Sequence, residues 1–431
     1  MNPVARPLDR AEAFFWYLDR CSSMNFAVMA EGEGPLEPAA FATALERARL
    51  AHPLLQVAIE SPAGGPLAFV PHPDAGVPMA TGAAPASWAD RVSAALAQPF
   101  ALGEAPLVRA LWHDNGGGRW AAALVFHHSA ADGRSGLHLL REVLEEACGA
   151  RRGPQAVAPR PPLTALFPSK YAGEEGALRA QAWRAQLKAA ASKRPDFLPG
   201  FTPSGEPVRP GFFTITLEEG VVRSLSARAR ESGASVHGAL GAATLLACRE
   251  RFDPAPDPRL MLTSPVDLRG HLAAPFDDAT PAFAVTLLST ATDVKAAPDP
   301  WPLAAHLTRD LRRQVAEGCG HLFYQLVPAA ETLPPGPEAI EGLRAYVARL
   351  PAAVVLSNAG AVPRLAPAGG IRVTSLAFAL CPMGHQPLFV AAATYGETMK
   401  IQVVHDAARL PAAVARGVAA SLEDRLRRAA S

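Results

Sequence analysis

The stretch from Trp120 to Leu140, WAAALVFHHSAADGRSGLHLL, constrains this chain more than any other. The unbroken apolar run Ala121 to Phe126 reads as a buried strand, and Asp132, Gly133 and the recurring leucines after them read as a turn opening a helix. Two histidines stand between. Successive side chains of a strand point to opposite faces, so His127 and His128 do not enter the same cavity; one packs, and the other is left for chemistry. An imidazole with an ordinary pKa of about 6.5 takes a proton from a hydroxyl or amine as that group bonds to a carbonyl. Asp132 follows His128 by four positions, and Gly133 is free to adopt backbone angles closed to other residues. Taken singly, Asp132 reads equally well as a helix N-cap and either histidine as a core residue. Taken together, His-His-x-x-x-Asp-Gly arises by chance in roughly one chain in a thousand of this length and composition.

At His127, His128, Asp132 and Gly133 the chain resembles the superfamily of chloramphenicol acetyltransferase, the nonribosomal peptide condensation domains, the plant BAHD acyltransferases and the polyketide-associated acyltransferases of the phthiocerol dimycocerosyl transferase type. The last group is the nearest in pattern. The resemblance implies an α/β fold of two chloramphenicol-acetyltransferase-like lobes, each a mixed sheet with helices, forming a V around a central channel. It also implies transfer of an acyl group from a thioester, with His128 beside the nucleophile. In such families the aspartate commonly points away from substrate and pairs with an arginine. Asp132 therefore joins His128 as a candidate catalytic residue whose contribution is architectural, and His127 and Gly133 complete the motif.

Composition narrows the alternatives. A net charge of +1 implies no basic face for a run of phosphates, which argues against nucleic acid as a partner. The five cysteines, Cys21, Cys148, Cys248, Cys319 and Cys381, are widely separated and form no C-x-x-C pair, so reduced thiols in a cytoplasmic protein are expected. No run of about eighteen apolar residues is present, so no membrane span is expected.

Along the chain, Phe14 to Leu18 form a dense apolar group suited to a helix docked on the core, followed by a strand at Asn25 to Ala30 and a helix ending before His52-Pro53. Gly116 to Gly118 read as a hairpin turn. A composition shift divides the chain into a first lobe at 1–165, a crossing helix and linker at 166–210, and a second lobe at 211–431. The Lys and Arg of the crossing helix read as a wet face. In the second lobe, LMLTSPVDLRGHL reads as a strand ending near Arg269, and the resemblance makes Arg269 the partner of Asp132. Ser357, Asn358 and Gly360, in VVLSNAG, are similar to a Ser-Asn-x-Gly stretch near the acyl site of polyketide-associated acyltransferases, and are the candidate substrate-channel residues. Val373 to Leu380, Leu388 to Thr394 and Met399 to Val404 read as antiparallel strands of the second lobe.

The function expected is an O-acyltransferase of secondary-metabolite or lipid biosynthesis. It has no permanently bound cofactor and no metal, takes coenzyme A or carrier-protein phosphopantetheine thioesters as co-substrate, and acts as a monomer on a small alcohol. No acyl-enzyme is expected, because Gly133-Arg134-Ser135-Gly136 is not a nucleophile elbow. The Gly133 amide and Asn358 are the expected oxyanion donors. An amide-forming condensation enzyme and an inactive scaffold of the same fold are the alternatives.

Overall fold

The structure, a computed structural model, describes residues 5–431 except 151–156, 191–194, 197, 199–200, 202–207, 253–256, 275, 277–280, 297–298 and 329–335. Much of the expected linker after the crossing helix thus lies outside the described residues. The first half runs β1 (Arg6–Pro7), α1 (Arg10–Cys21), β2 (Asn25–Glu33), α2 (Pro38–Ala51), β3 (Val57–Glu60), β4 (Ala68–Pro71), β5 (Met79–Ala83), α3 (Trp88–Ala97), β6 (Val108–Gly116), β7 (Arg119–His127) and α4 (Gly133–Ala147). The crossing helix is α5 (Gly173–Ala190). The second half runs β8 (Pro210–Leu217), α6 (Glu219–Glu231), α7 (Val236–Phe252), β9 (Arg259–Asp267), β10 (Val285–Asp293), α8 (Trp301–Ala316), α9 (Cys319–Leu326), α10 (Pro337–Val347), β11 (Val354–Val362), β12 (Arg372–Leu380), β13 (Leu388–Tyr395), β14 (Thr398–Asp406) and α11 (Ala412–Ala430). The fold is mixed α/β.

Two sheets carry it. One has the order β12-β2-β7-β6-β5, the other β10-β9-β11-β13-β14-β8, and a small third sheet has the order β1-β4-β3. β7 sits centrally in the first sheet, between β2 and β6, which is why Ala121 to Phe126 need no polar alternation: both faces are covered. The turn into β7 uses Gly117 and Gly118 at φ of 64° and 71°, the left-handed pair a two-residue hairpin loop demands.

The pairing of β12 departs from the sequence reading. Although it follows the crossing helix, it lies antiparallel to β2, with Leu380 opposite Phe26, and so completes the sheet of the first half. β13 and β14 pair with each other within the second sheet, as expected. Seven residues after β12 the chain has crossed from one sheet to the other. The largest apolar cluster accordingly draws on both halves, with Phe26, Phe126 and Leu140 packed among Phe283, Val355, Phe378 and Phe389.

α4 packs on the first sheet through Gly136, where a Cβ would come 2.9 Å from the ring of Phe26 and 3.1 Å from Val28. α1 is tied to the loop after β7 by the Ser129 hydroxyl, which donates to the Glu12 carbonyl at 2.7 Å. That bond seats Phe15 beside the histidine motif.

Candidate active site

β7 ends at His127, and the alternation of the strand separates the two imidazoles. His127 turns back into the interior and is 1% exposed. Its Nδ1 accepts from the Ser129 amide at 3.1 Å, its Nε2 stands 3.7 Å from the sealed Asp19 carboxylate, and burial, only partly offset by Asp19, pushes its pKa down to about 4. It is a neutral packing residue. His128 turns the other way and lines a cavity of about 70 Å³. Its ring is held by three phenylalanines, with centroids 4.7 Å from Phe15, 4.9 Å from Phe26 and 5.7 Å from Phe283. Burial lowers its pKa below the ordinary value, with the charge of Asp132 working in the opposite direction. The resulting neutral imidazole carries a lone pair at neutral pH.

The cavity is built from both halves. Phe15, Phe26 and Gly133 come from the first; Pro265 on β9, Leu287 on β10 and Ser357 on β11 come from the second. β12 contributes Phe378 and Leu380, so its unexpected place in the first sheet supplies part of the wall.

Asp132 caps α4 and joins the halves. One carboxylate oxygen accepts from the Ser135 amide at 2.9 Å; the other accepts from the Ala284 amide at 3.0 Å and stands 2.9 Å from Arg269 Nη1. The Asp132 amide in turn donates to the Ala282 carbonyl at 3.2 Å. Burial alone would raise the carboxyl pKa, but Arg269 and the two amides more than reverse it, so the group stays ionised. Arg269 also bonds Asp267 at 3.0 Å, and Asp267 meets Arg134 at 2.9 Å, which makes a four-charge chain across the junction. With its oxygens so occupied, Asp132 holds residues 282–284, and Phe283 among them, against His128. The structure brings Asp132 and Arg269 together, with His128 four residues before Asp132 in the chain.

Two sequence expectations fare differently. Gly133 is the first residue of α4, and among the described residues it is not one of the glycines at positive φ. A Cβ there would lie 3.6 Å from Phe378 at the cavity wall, ordinary van der Waals contact, so the surroundings leave room for one. Of the three channel candidates, Ser357 lines the cavity, whereas Asn358 and Gly360 are not among the lining residues. Adjacent residues of β11 face opposite ways, and the Asn358 side-chain oxygen accepts the Gly360 amide at 2.9 Å, closing a bulge where Gly360 takes φ of 75°. The sequence reading missed the aromatic collar and Gly136. The density of Phe14 to Tyr17 was the available signal, read only as packing.

Among the described residues no cluster of His, Cys, Asp or Glu could hold a metal ion, and no helix is long and apolar enough to cross a membrane.

Residues 206–426 match the family described as phthiocerol/phthiodiolone dimycocerosyl transferase C-terminus, just over half of the chain. The chain belongs to that family. A segment of 158 residues, 35% of this family member, is 34% identical to tyrocidine synthase 3 of Brevibacillus parabrevis, and the chain spans 2% of that protein's length. Polyketide synthase associated protein 5 from Mycobacterium tuberculosis has the same fold, with a TM-score of 0.67 and 18% identity over 99% of this chain and 98% of that one. Trichothecene 15-O-acetyltransferase TRI3 from Fusarium sporotrichioides aligns with a TM-score of 0.71 and 13% identity over 99% and 96%. The chain thus belongs to that family by its second half and shares the fold of these solved structures over nearly its whole length.

Proposed function

We propose that this protein transfers an acyl group from a thioester to an alcohol, with His128 as the general base. The observation that carries the reading is a neutral imidazole on the wall of a cavity lined by both halves of the chain. The acceptor oxygen attacks the thioester carbonyl carbon and a C–O bond forms while His128 Nε2 takes the hydroxyl proton. The C–S bond then breaks, and the imidazolium returns the proton to the departing thiolate. General-base help of this kind contributes about a hundredfold to ten-thousandfold. No acyl-enzyme enters the sequence.

The N-terminus of α4, which opens on Gly133 at the cavity wall, suits the developing oxyanion, since first-turn amides have no acceptor within the helix. Asp132 and Arg269 are positioning residues, and Ser357 is a channel residue. Asn358 is a turn residue in this proposal. The donor is coenzyme A or a carrier-protein phosphopantetheine, the setting secondary-metabolite or lipid biosynthesis in the cytoplasm, and the working unit a monomer.

The test is a screen of acyl thioesters against alcohol and amine acceptors, read by intact mass of the products. Esters formed by wild type and lost in His128→Ala support the proposal. Amides formed in preference to esters replace it with a condensation enzyme, and no product from any pair replaces it with a scaffold.

A further inference from the structure

β12 has two faces, and only one belongs to the catalytic cavity. Phe378 and Leu380 wall that cavity, whereas Ser375 and Ala377 line a separate crevice of about 50 Å³. β2 divides in the same way, with Phe26 on the cavity and Met29 and Glu31 on the crevice. The two spaces share no lining residue, so an occupant of the crevice does not meet His128. β14 and β8 supply Lys400, Gln402, Phe212 and Thr214, and Trp88, the first residue of α3, completes the lining. Across the ladder on β13, Lys400 and Gln402 stand opposite Ala393 and Ala391, whose methyl groups leave them uncovered.

The polar groups of the crevice are only partly used. Lys400 Nζ lies 3.8 Å from Glu31 Oε2, too far for a hydrogen bond. That oxygen already accepts from the Ser375 hydroxyl at 2.8 Å, and the other Glu31 carboxylate oxygen has no partner among the described residues. Gln402 is 4% exposed, and its side-chain oxygen accepts from the Thr214 hydroxyl at 2.7 Å. Its NH2 group has no partner among the described residues and opens on the crevice. A polar group so deeply placed and left unpaired is the exception in native structures.

We infer that the crevice binds a free α-amino acid with a small apolar side chain. The carboxylate meets Lys400 and the Gln402 NH2 group, the ammonium meets Glu31, and the side chain rests against Trp88 and Phe212. A lone anion would face Glu31, and a lone cation would face Lys400. A molecule carrying both charges on one carbon satisfies each, through charge-assisted bonds of the stronger kind. A space of about 50 Å³ takes roughly four water-sized groups, which suits glycine or alanine and falls far short of a coenzyme thioester. The inference stands apart from the acyl-transfer reading.

Isothermal titration of L-alanine into the full chain tests it. The expected result is a saturable one-to-one isotherm, with a change in tryptophan emission that is lost in Trp88→Phe. Lys400→Met and Glu31→Gln, at partly exposed positions where the fold tolerates a change, each weaken binding at least tenfold, and the more buried Gln402→Leu does the same. Lys188→Met, on the exposed side of α5, leaves the dissociation constant within twofold. N-acetyl-L-alanine and L-alanine methyl ester, each with one charged end capped, bind at least tenfold more weakly. Absence of a saturable heat overturns the inference, as does equal binding of either capped analogue, or binding that Lys400→Met and Glu31→Gln leave intact. His128→Ala is expected to bind L-alanine as wild type does; loss of binding there moves the amino acid into the catalytic cavity and overturns the assignment. A failure of acyl transfer leaves these results standing, since none of them reads turnover.

Discussion

His127 and His128 are joined by one peptide bond and occupy opposite environments. Behind β7, His127 is fixed by the Ser129 amide and the Asp19 carboxylate in a space no ligand reaches. In front, His128 is gripped by phenylalanine faces, which fix its plane on the cavity wall. Both are neutral, and both owe this to burial. The contrast separates two uses of one side chain: polar partners make it a structural element, whereas apolar walls leave its lone pair available. A strand's alternation alone decides which is which.

The comparison can be broken by substitution. His128→Ala is expected to lower kcat/KM by about a hundredfold to ten-thousandfold while thermal melting shifts by only a few degrees. Arg269→Ala leaves Asp132 charged and buried without its partner, so urea denaturation should show a loss of about 3 to 5 kcal/mol. His127→Leu strands the Ser129 amide and should cost about 1 to 3 kcal/mol, with kcat/KM per folded molecule within threefold of wild type. If His127→Leu instead abolished turnover in a folded protein, the division between the two would be wrong. Gly136→Ala pushes on Phe26, one wall of the His128 collar; it should cost about 1 kcal/mol and lower kcat severalfold. Arg134→Ala, at the exposed end of the charge chain, should change stability by less than about 1 kcal/mol in the same denaturation assay.

Much of the motif region was legible in the sequence, because its determinants are local. The apolar run, the Asp132 cap and the leucine period each write themselves into neighbouring residues, and the strand, turn and helix follow. Arg269 is 137 positions from Asp132, and only family resemblance pointed to it. The place of β12 was not legible: its letters specify a strand, but the choice of β2 over β13 as partner depends on chain segments hundreds of residues apart. β5, an edge strand of small residues with Gly82 in it, has no apolar alternation to betray it. Asn358 is a different case. Period-two alternation already set it opposite Ser357, so the two could not both line one channel, and applying the rule used for the histidines would have separated them.

The pH dependence of kcat/KM, followed in wild type and His128→Ala with the same thioester and alcohol, tests the central claim most directly. Burial holds the His128 pKa below about 6.5, so its neutral form dominates above that pH and disappears as pH falls through the folded-state value. The predicted result is a wild-type profile flat from neutrality down to about pH 6.5, an acid limb below it, and no such limb in the residual activity of His128→Ala. An acid limb that persists unchanged in His128→Ala would contradict the assignment of this imidazole as the base.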